Sequence, residues 1–385
     1  MKLDMGLRLP FRYVVTTGMV ALGFAAGTMI GSQHGVTFAQ EESRIPPEGQ
    51  ILLEPIWQAY TNIMNSYFDP EGDSVSTEDL INGALHGMVG VLGDTYSVYL
   101  EPVRLDSFNM RVASETVGIG VVVNTNPDTG ELRIVEVQPG SPAETAGVQP
   151  GDVFLAVDGQ DVTGMAQADI VARARGEEGS VVELTVRRGD EEIAFTITRA
   201  RIIVPQTEVR LLDDQIGYIR LEQFSPNAPT EVQAALDNLI ADDIDGLVLD
   251  LRDNAGGQLR PTLEIAGAFI EEGTVVIQDF GEDERLFEAE GSYRDLDVPM
   301  VVLVNGRTQS ASEALAGALR DYGIATIVGE QTFGKGTVQT MAPLANGGGL
   351  RLTISRFLTP ERYVIHQQGI TPDIVVSASE APGDE

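Results

Sequence analysis

The chain has no cysteine, only three histidines, and far fewer basic than acidic residues, 25 against 58. Each scarcity removes a class of function. Without cysteine there is no disulfide, no thiolate nucleophile, no cysteine-ligated zinc and no lipid attached through an N-terminal cysteine. His34, His86 and His366 lie far apart, and none has a second histidine at metal-ligand spacing. A histidine-rich metal site is not expected, and hydrolytic chemistry here needs a base other than a clustered histidine. The formal net charge of −33 repels nucleic-acid phosphates and anionic lipid headgroups, so neither is an expected partner.

What is present begins with a targeting pattern. Lys2, Arg8 and Arg12 flank an apolar stretch from Tyr13 to Ile30 that carries no charge. Its length is near the roughly 20 residues that span a bilayer, and the basic flank stays cytoplasmic. Thr37-Phe38-Ala39 also fits a small-x-small cleavage site. Residues 1–31 therefore read as a signal peptide or a transmembrane anchor, with the anchor favoured by the length of the apolar run. Both readings put the rest of the chain outside the cytoplasm, in the cell envelope or secreted, with the membrane touched only through this segment.

The 385 residues suffice for two or three domains. Residues 32–50 are polar and contain Pro and Gly, as linkers do. Leu52, Ile56, Tyr60, Ile63 and Tyr67 recur at helical spacing, and Ser76-Thr77-Glu78-Asp79 opens a second helix as a capping signal. Residues 51–114 form the expected helical N-terminal region. From 115 to 201 five short strands rich in Val, Ile, Leu and Thr alternate with two helices, predicting a small α+β module. From 202 to 376 strands and helices alternate on a larger scale, predicting a layered α/β core. The acidic tail, 377–385, has the composition of a disordered end.

Three segments of this core carry chemistry. In Asn305-Gly306-Arg307-Thr308-Gln309-Ser310-Ala311-Ser312-Glu313 a buried-type strand runs through a polar turn into an alanine-rich helix. Ser310 sits at the junction, where the helix N-terminus favours a developing negative charge. The same residues also fit a capping box, Ser310 with Glu313, and Ser312 is a second hydroxyl. In Gly329-Glu330-Gln331-Thr332-Phe333-Gly334-Lys335-Gly336-Thr337-Val338-Gln339 a lone lysine lies among glycines and apolar residues. Burial lowers a lysine pKa and frees a neutral amine to accept a serine proton. Gly329, Gly334 and Lys335 match part of a phosphate loop, but Gly336 stands where Ser or Thr is required and a strand pattern follows instead of a helix. In Leu251-Arg252-Asp253-Asn254-Ala255-Gly256-Gly257 a strand ends in a turn whose glycines let a backbone N–H approach a substrate carbonyl.

Together these segments resemble the carboxy-terminal processing, or tail-specific, serine proteases. The order is Asp-Leu-Arg-x-Asn-x-Gly-Gly, then Ser-Ala-Ser-Glu, then Thr-Phe-Gly-Lys-Gly-x-Val-Gln. Leu92-Gly93-Asp94-Thr95-Tyr96-Ser97-Val98-Tyr99-Leu100 and Gly369-Ile370-Thr371-Pro372-Asp373 extend the likeness to both ends of the body. The resemblance implies a multidomain α/β and α+β fold. Its crotonase-like or Clp-protease-like layered core would carry an inserted PDZ domain and a helical N-terminal region. It implies Ser310 as nucleophile, Lys335 as general base and Gln339 as the residue orienting that lysine, with Ser312 structural. The amides of Gly256 and Ala311 would form the oxyanion hole, with Gly257 the alternative to Gly256. No metal or organic cofactor is implied.

The module at 115–201 resembles a PDZ domain. Gly118-Ile119-Gly120-Val121 is similar to its carboxylate-binding loop, where backbone N–H groups take a peptide C-terminus as the peptide adds as a strand. Ile170 and Ala174 would face the peptide groove, and Arg173 or Arg175 would carry an activating signal. Expected partners are proteins bound by their C-termini, and the N-terminal helices are a candidate homodimer surface. The competing reading is a membrane-anchored PDZ adaptor on an inactive protease scaffold.

Overall fold

The computed structural model describes residues 47–68, 75–126 and 129–376, without the side chains of 47–52. The targeting segment, most of the linker and the acidic tail lie outside these residues. Among the described residues no helix is long and apolar enough to cross a membrane.

The core sheet has six strands in the order 207–212, 216–221, 246–250, 300–304, 325–329 and 374–375. The first pair is antiparallel and every later pair is parallel. Parallel strands need crossovers, and helices Ala228–Ala241, Leu259–Ala266 and Ala311–Asp321 lie in them. This explains the near-continuous apolar runs: Leu247, Leu249, Val302, Val304 and Ile327 are all buried within one cluster. The alanine-rich 311–321 helix is buried along most of its length. Small residues permit that closeness; a Cβ on Gly317 would meet Thr359 Cγ2 at 2.6 Å.

A second sheet joins strands 98–100, 349–358, 274–279 and 284–288, with 337–343 also paired to 349–358. The 98–100 strand departs from the all-helical expectation for its region. Its three residues pair antiparallel with Arg351, Leu350 and Gly349. The linker also ends earlier than expected, since the first helix is Pro47–Ser66. Proline is tolerated in a first helical turn, where its missing N–H costs nothing. The second helix, Thr77–Gly90, begins as its sequence predicts: Asp79 N–H donates to Ser76 Oγ and Ser76 N–H to Asp79 Oδ2.

The small module leaves the core after the Pro102–Val112 helix and returns at 204–207. Its exit and return strands, Glu115–Gly118 and Ala200–Ile203, pair with each other. Its main sheet runs 121–125, 132–137, 153–157, 181–188 and 191–198, packed on Ile134, Leu184, Val186 and Ile197. The chain between strands Glu115–Gly118 and Val121–Thr125 is broken at Ile119-Gly120, where Gly120 takes φ +84°. Glu231 fastens the return, accepting hydrogen bonds from the Gln206 and Thr207 amides.

Candidate active site

Asp250, Val304 and Gly329 end three neighbouring parallel strands of the core sheet. The loop that follows each strand holds one of the three sequence motifs. Such C-terminal strand ends are where layered α/β sheets place their chemistry.

Ser310 precedes the 311–321 helix with φ 57° and ψ −116°. A non-glycine residue held there stores about 1–3 kcal/mol of strain, which surrounding contacts must maintain. Those contacts come from the 251–257 turn. Gln309 N–H and Ser312 Oγ–H both donate to the Asn254 carbonyl at 3.0 Å, and Thr308 Oγ1 donates to the Leu251 carbonyl at 2.8 Å. Ser312 is thus bonded to fixed backbone. Asn254 is fully buried and donates to the Leu221 carbonyl. A Cβ on Gly256 would lie 2.9 Å from both Ala311 N and Ser310 Cβ, so only glycine permits this approach.

The Gly256 amide is engaged within its own turn. It donates to Asn254 Oδ1 at 2.8 Å, a local turn closed by the asparagine side chain. The Gly257 amide donates no hydrogen bond among the described residues. The paired Asp-Leu-Arg residues are structural: buried Asp250 accepts from Tyr218 Oη and from the Arg252 guanidinium. That ion pair holds the Arg252 pKa above its ordinary value.

Glu313 reads in the sequence only as a helix cap, yet it organises the site. Its carboxylate is fully buried. Oε1 accepts from Thr332 Oγ1 at 2.5 Å and from Gly334 N–H at 2.7 Å. Oε2 accepts from Ser310 N–H at 2.8 Å and from Lys335 N–H at 2.9 Å. Burial pushes its pKa up, against the pull of these four hydrogen bonds. Four inward donors match the acceptor-only geometry of an ionised carboxylate. Nothing in the Ser-x-x-Glu pattern foretells the three donors from the lysine segment.

Lys335 is half-buried, with its Nζ 5.4 Å from the centre of the Tyr96 ring. Its pKa is lowered, first by burial and then by repulsion from Arg351, while Glu313 pulls it up. Arg351 stacks on Phe108 at 5.6 Å and lies on strand 349–358. Gly336 admits the neighbouring segment, since a Cβ there would lie 2.4 Å from His366 N. Among the described residues no hydrogen bond joins the Ser310 hydroxyl to Lys335.

Gln339 lies on the strand that follows the lysine loop. Its amide donates to Thr337 Oγ1 at 2.9 Å and Thr353 Oγ1 at 3.3 Å, not to Lys335. A register shift between Val338 and Gln339 sets Gln339 opposite Thr353, bringing that hydroxyl within reach.

In the small module, the Ile119 and Gly120 carbonyls accept from Ala143 and Gln138 amides, and their own N–H groups donate to nothing among the described residues. Gly118 pairs with Ala200, and Val121 opens the next strand opposite Val137. Ile170 departs from its expected groove position: it is 2% exposed and belongs to the module's core, because it is the buried residue of the short 167–174 helix. Arg173 bonds Gln160 Oε1.

Comparison with known proteins places these features in one lineage. Residues 215–376 match peptidase family S41, 133–188 match the PDZ domain, and 21–102 match the N-terminal domain of the activating protease CtpB. A carboxyl-terminal-processing protease of Synechocystis sp. is 40% identical over 301 residues, 76% of this chain and 70% of the relative. A probable CtpA-like serine protease of Staphylococcus haemolyticus is 33% identical over 365 residues, 94% of this chain and 71% of that one. The structure of a photosystem II D1 C-terminal processing protease aligns with a TM-score of 0.51 at 30% identity, covering 86% of this chain and 94% of its own. With its core, its inserted module and its long alignments in agreement, the chain belongs to the carboxyl-terminal-processing serine proteases of peptidase family S41 and carries a PDZ domain.

Proposed function

We propose that this chain is a serine endopeptidase that cuts protein substrates near their C-termini through a Ser310–Lys335 dyad. The observation that carries the reading is Ser310, strained at a strand end and linked through buried Glu313 to the Lys335 segment. The lowered Lys335 pKa supports a neutral amine acting as base.

Ser310 Oγ attacks the scissile carbonyl carbon while its proton passes to Lys335 Nζ. The oxyanion is held by the Ala311 amide with that of Gly257, or with Gly256 once Asn254 releases it. The ammonium then returns the proton to the leaving amine, giving an acyl-enzyme. Water, deprotonated by Lys335, releases the new C-terminus and restores the serine. Gln339 orients Lys335 after leaving Thr337 and Thr353.

The domain plan is 51–114 as the N-terminal region, 115–201 as the PDZ domain and 202–376 as the protease core. The PDZ loop, Gly118 to Val121, takes the substrate carboxylate on its backbone amides. The exposed Trp57, Met64, Tyr67 and Phe68 suit a second copy of the chain. Sedimentation of the full chain tests that dimer. Residues 1–31 place the enzyme outside the cytoplasm, and mass spectrometry of the mature N-terminus shows whether they are retained.

The deciding experiment is cleavage of an unstructured protein by wild type, Ser310→Ala and Lys335→Ala, with fluorophosphonate labelling of Ser310. Loss of cleavage in both variants is expected; wild-type cleavage by Ser310→Ala overturns the assignment. The positions of Gln339 and the Gly256 amide favour one other reading, an adaptor on an inactive scaffold. Absent labelling, with C-terminal peptides still bound, selects it.

A further inference from the structure

The Leu92–Leu100 segment is drawn into the active site from the N-terminal region. Strand 98–100 pairs with 349–351, which leaves the preceding loop against Lys335. The loop is tightly built. Asp94 accepts from Tyr96 N–H at 3.0 Å and from Ser97 Oγ at 2.6 Å. Ser97 Oγ in turn accepts from Thr353 N–H at 3.0 Å. Thr353 is also the residue whose hydroxyl takes the Gln339 amide. One short network therefore holds the Tyr96 backbone and reaches Gln339.

We infer that Tyr96 is a positioning residue for Lys335, its ring face holding the amine and stabilising the ammonium formed when Ser310 yields its proton. The inference rests on the Ser310–Lys335 reading above. An amine within about 6 Å of a ring centroid is attracted by the ring's negative face, and the attraction grows with positive charge. The ring therefore acts most strongly after proton transfer, which is where a catalytic interaction must act. It also balances the charges around Lys335. Arg351 on strand 349–358 repels the ammonium, Glu313 on helix 311–321 attracts it, and Asp94 faces Arg351 from the Tyr96 loop. His366 meets this segment through its backbone at Gly336. Tyr96 adds stabilisation without a second negative charge, which would hold the lysine protonated.

The test uses the full chain, a quenched-fluorescent unstructured substrate, and kcat and KM across pH. Tyr96→Leu keeps apolar bulk without the ring. It is expected to lower kcat about 3- to 10-fold with KM unchanged, and to move the acidic limb of the profile down by about half a pH unit. Tyr96→Phe keeps the ring face and is expected to restore both. Replacing Tyr96 with progressively fluorinated phenylalanines preserves shape while weakening the ring face, so kcat and the limb should fall stepwise even if Tyr96→Leu folds poorly. Wild-type kcat and an unmoved limb across the fluorinated series overturn the inference, as does a Tyr96→Phe defect equal to that of Tyr96→Leu. Ser310→Ala and Lys335→Ala separate the two failures. Active dyad variants defeat the underlying reading, whereas dead dyad variants beside an indifferent Tyr96 series defeat this inference alone.

Discussion

Ser310 and Lys335 share one acceptor: their backbone amides both donate to Oε2 of Glu313, at 2.8 and 2.9 Å. The helix that starts at the serine and the loop that carries the lysine are thus held by a single buried carboxylate. Glu313→Gln replaces one acceptor oxygen with an NH₂ facing two N–H or O–H donors. It should cost about 2 to 4 kcal/mol of stability. Denaturant titration measures the cost, and kcat should fall more than KM rises. Unchanged stability would remove Glu313 from its organising role.

Ser310 has φ 57°, a region glycine occupies without strain. Ser310→Ala and Ser310→Gly should both abolish cleavage, but the glycine variant should be the more stable by about 1 kcal/mol. Thermal unfolding of the two variants side by side is the measurement. Equal stability would show that Ser310 is not strained.

Burial, then Arg351, lowers the Lys335 pKa below the ordinary lysine value of 10.5. Activity should rise with pH as the amine deprotonates, with a midpoint below that value. Arg351→Met should move this limb to higher pH, because a repelling cation is gone. The sign for stability is set by the lowered folded pKa. Between the folded and unfolded values the unfolded chain binds more protons, so stability rises with pH through that window. Lys335→Met should therefore be more stable than wild type at the acid end of the window, and the gap should close towards pH 10.5. Unfolding curves of both proteins across pH check this.

A Cβ at residue 120 would stand 2.3 Å from Ser141 Cβ, at a φ of +84°. Gly120→Ala should distort the loop that precedes the 121–125 strand. Titration of a Ser310→Ala background with peptides ending in a free carboxylate, against the same peptides amidated, reads the result. The carboxylate preference should be large with Gly120 and largely lost in the Gly120→Ala variant. Equal binding of acid and amide by the parent would place carboxylate recognition elsewhere.

Local signals carried much of this protein. The apolar runs that lead into the 251–257 and 305–313 turns became strands Gly246–Asp250 and Met300–Val304, and the Ser76–Asp79 signal became a capping box. These features depend on side-chain period, turn chemistry and bonds within a few residues. The motif order also placed Ser310 and Lys335 after adjacent parallel strands, since each strand-loop unit is contiguous in the chain.

What only the tertiary structure decided is which distant group completes each local one. Glu313 reads as a cap because its near partner, the Ser310 amide, is local, whereas Thr332, Gly334 and Lys335 arrive from the next loop. Gln339 and Gly256 were legible as candidates, but neighbouring hydroxyls and an asparagine turn set the partners they have. Ile170 is an apolar helix residue whose direction, groove or core, depended on how its helix packed. Tyr96 had no readable role until strand 98–100 found its edge on strand 349–358. A sequence period specifies which face of an element is apolar or polar; it holds no information on what that face will meet, because the meeting is set by packing of the whole chain.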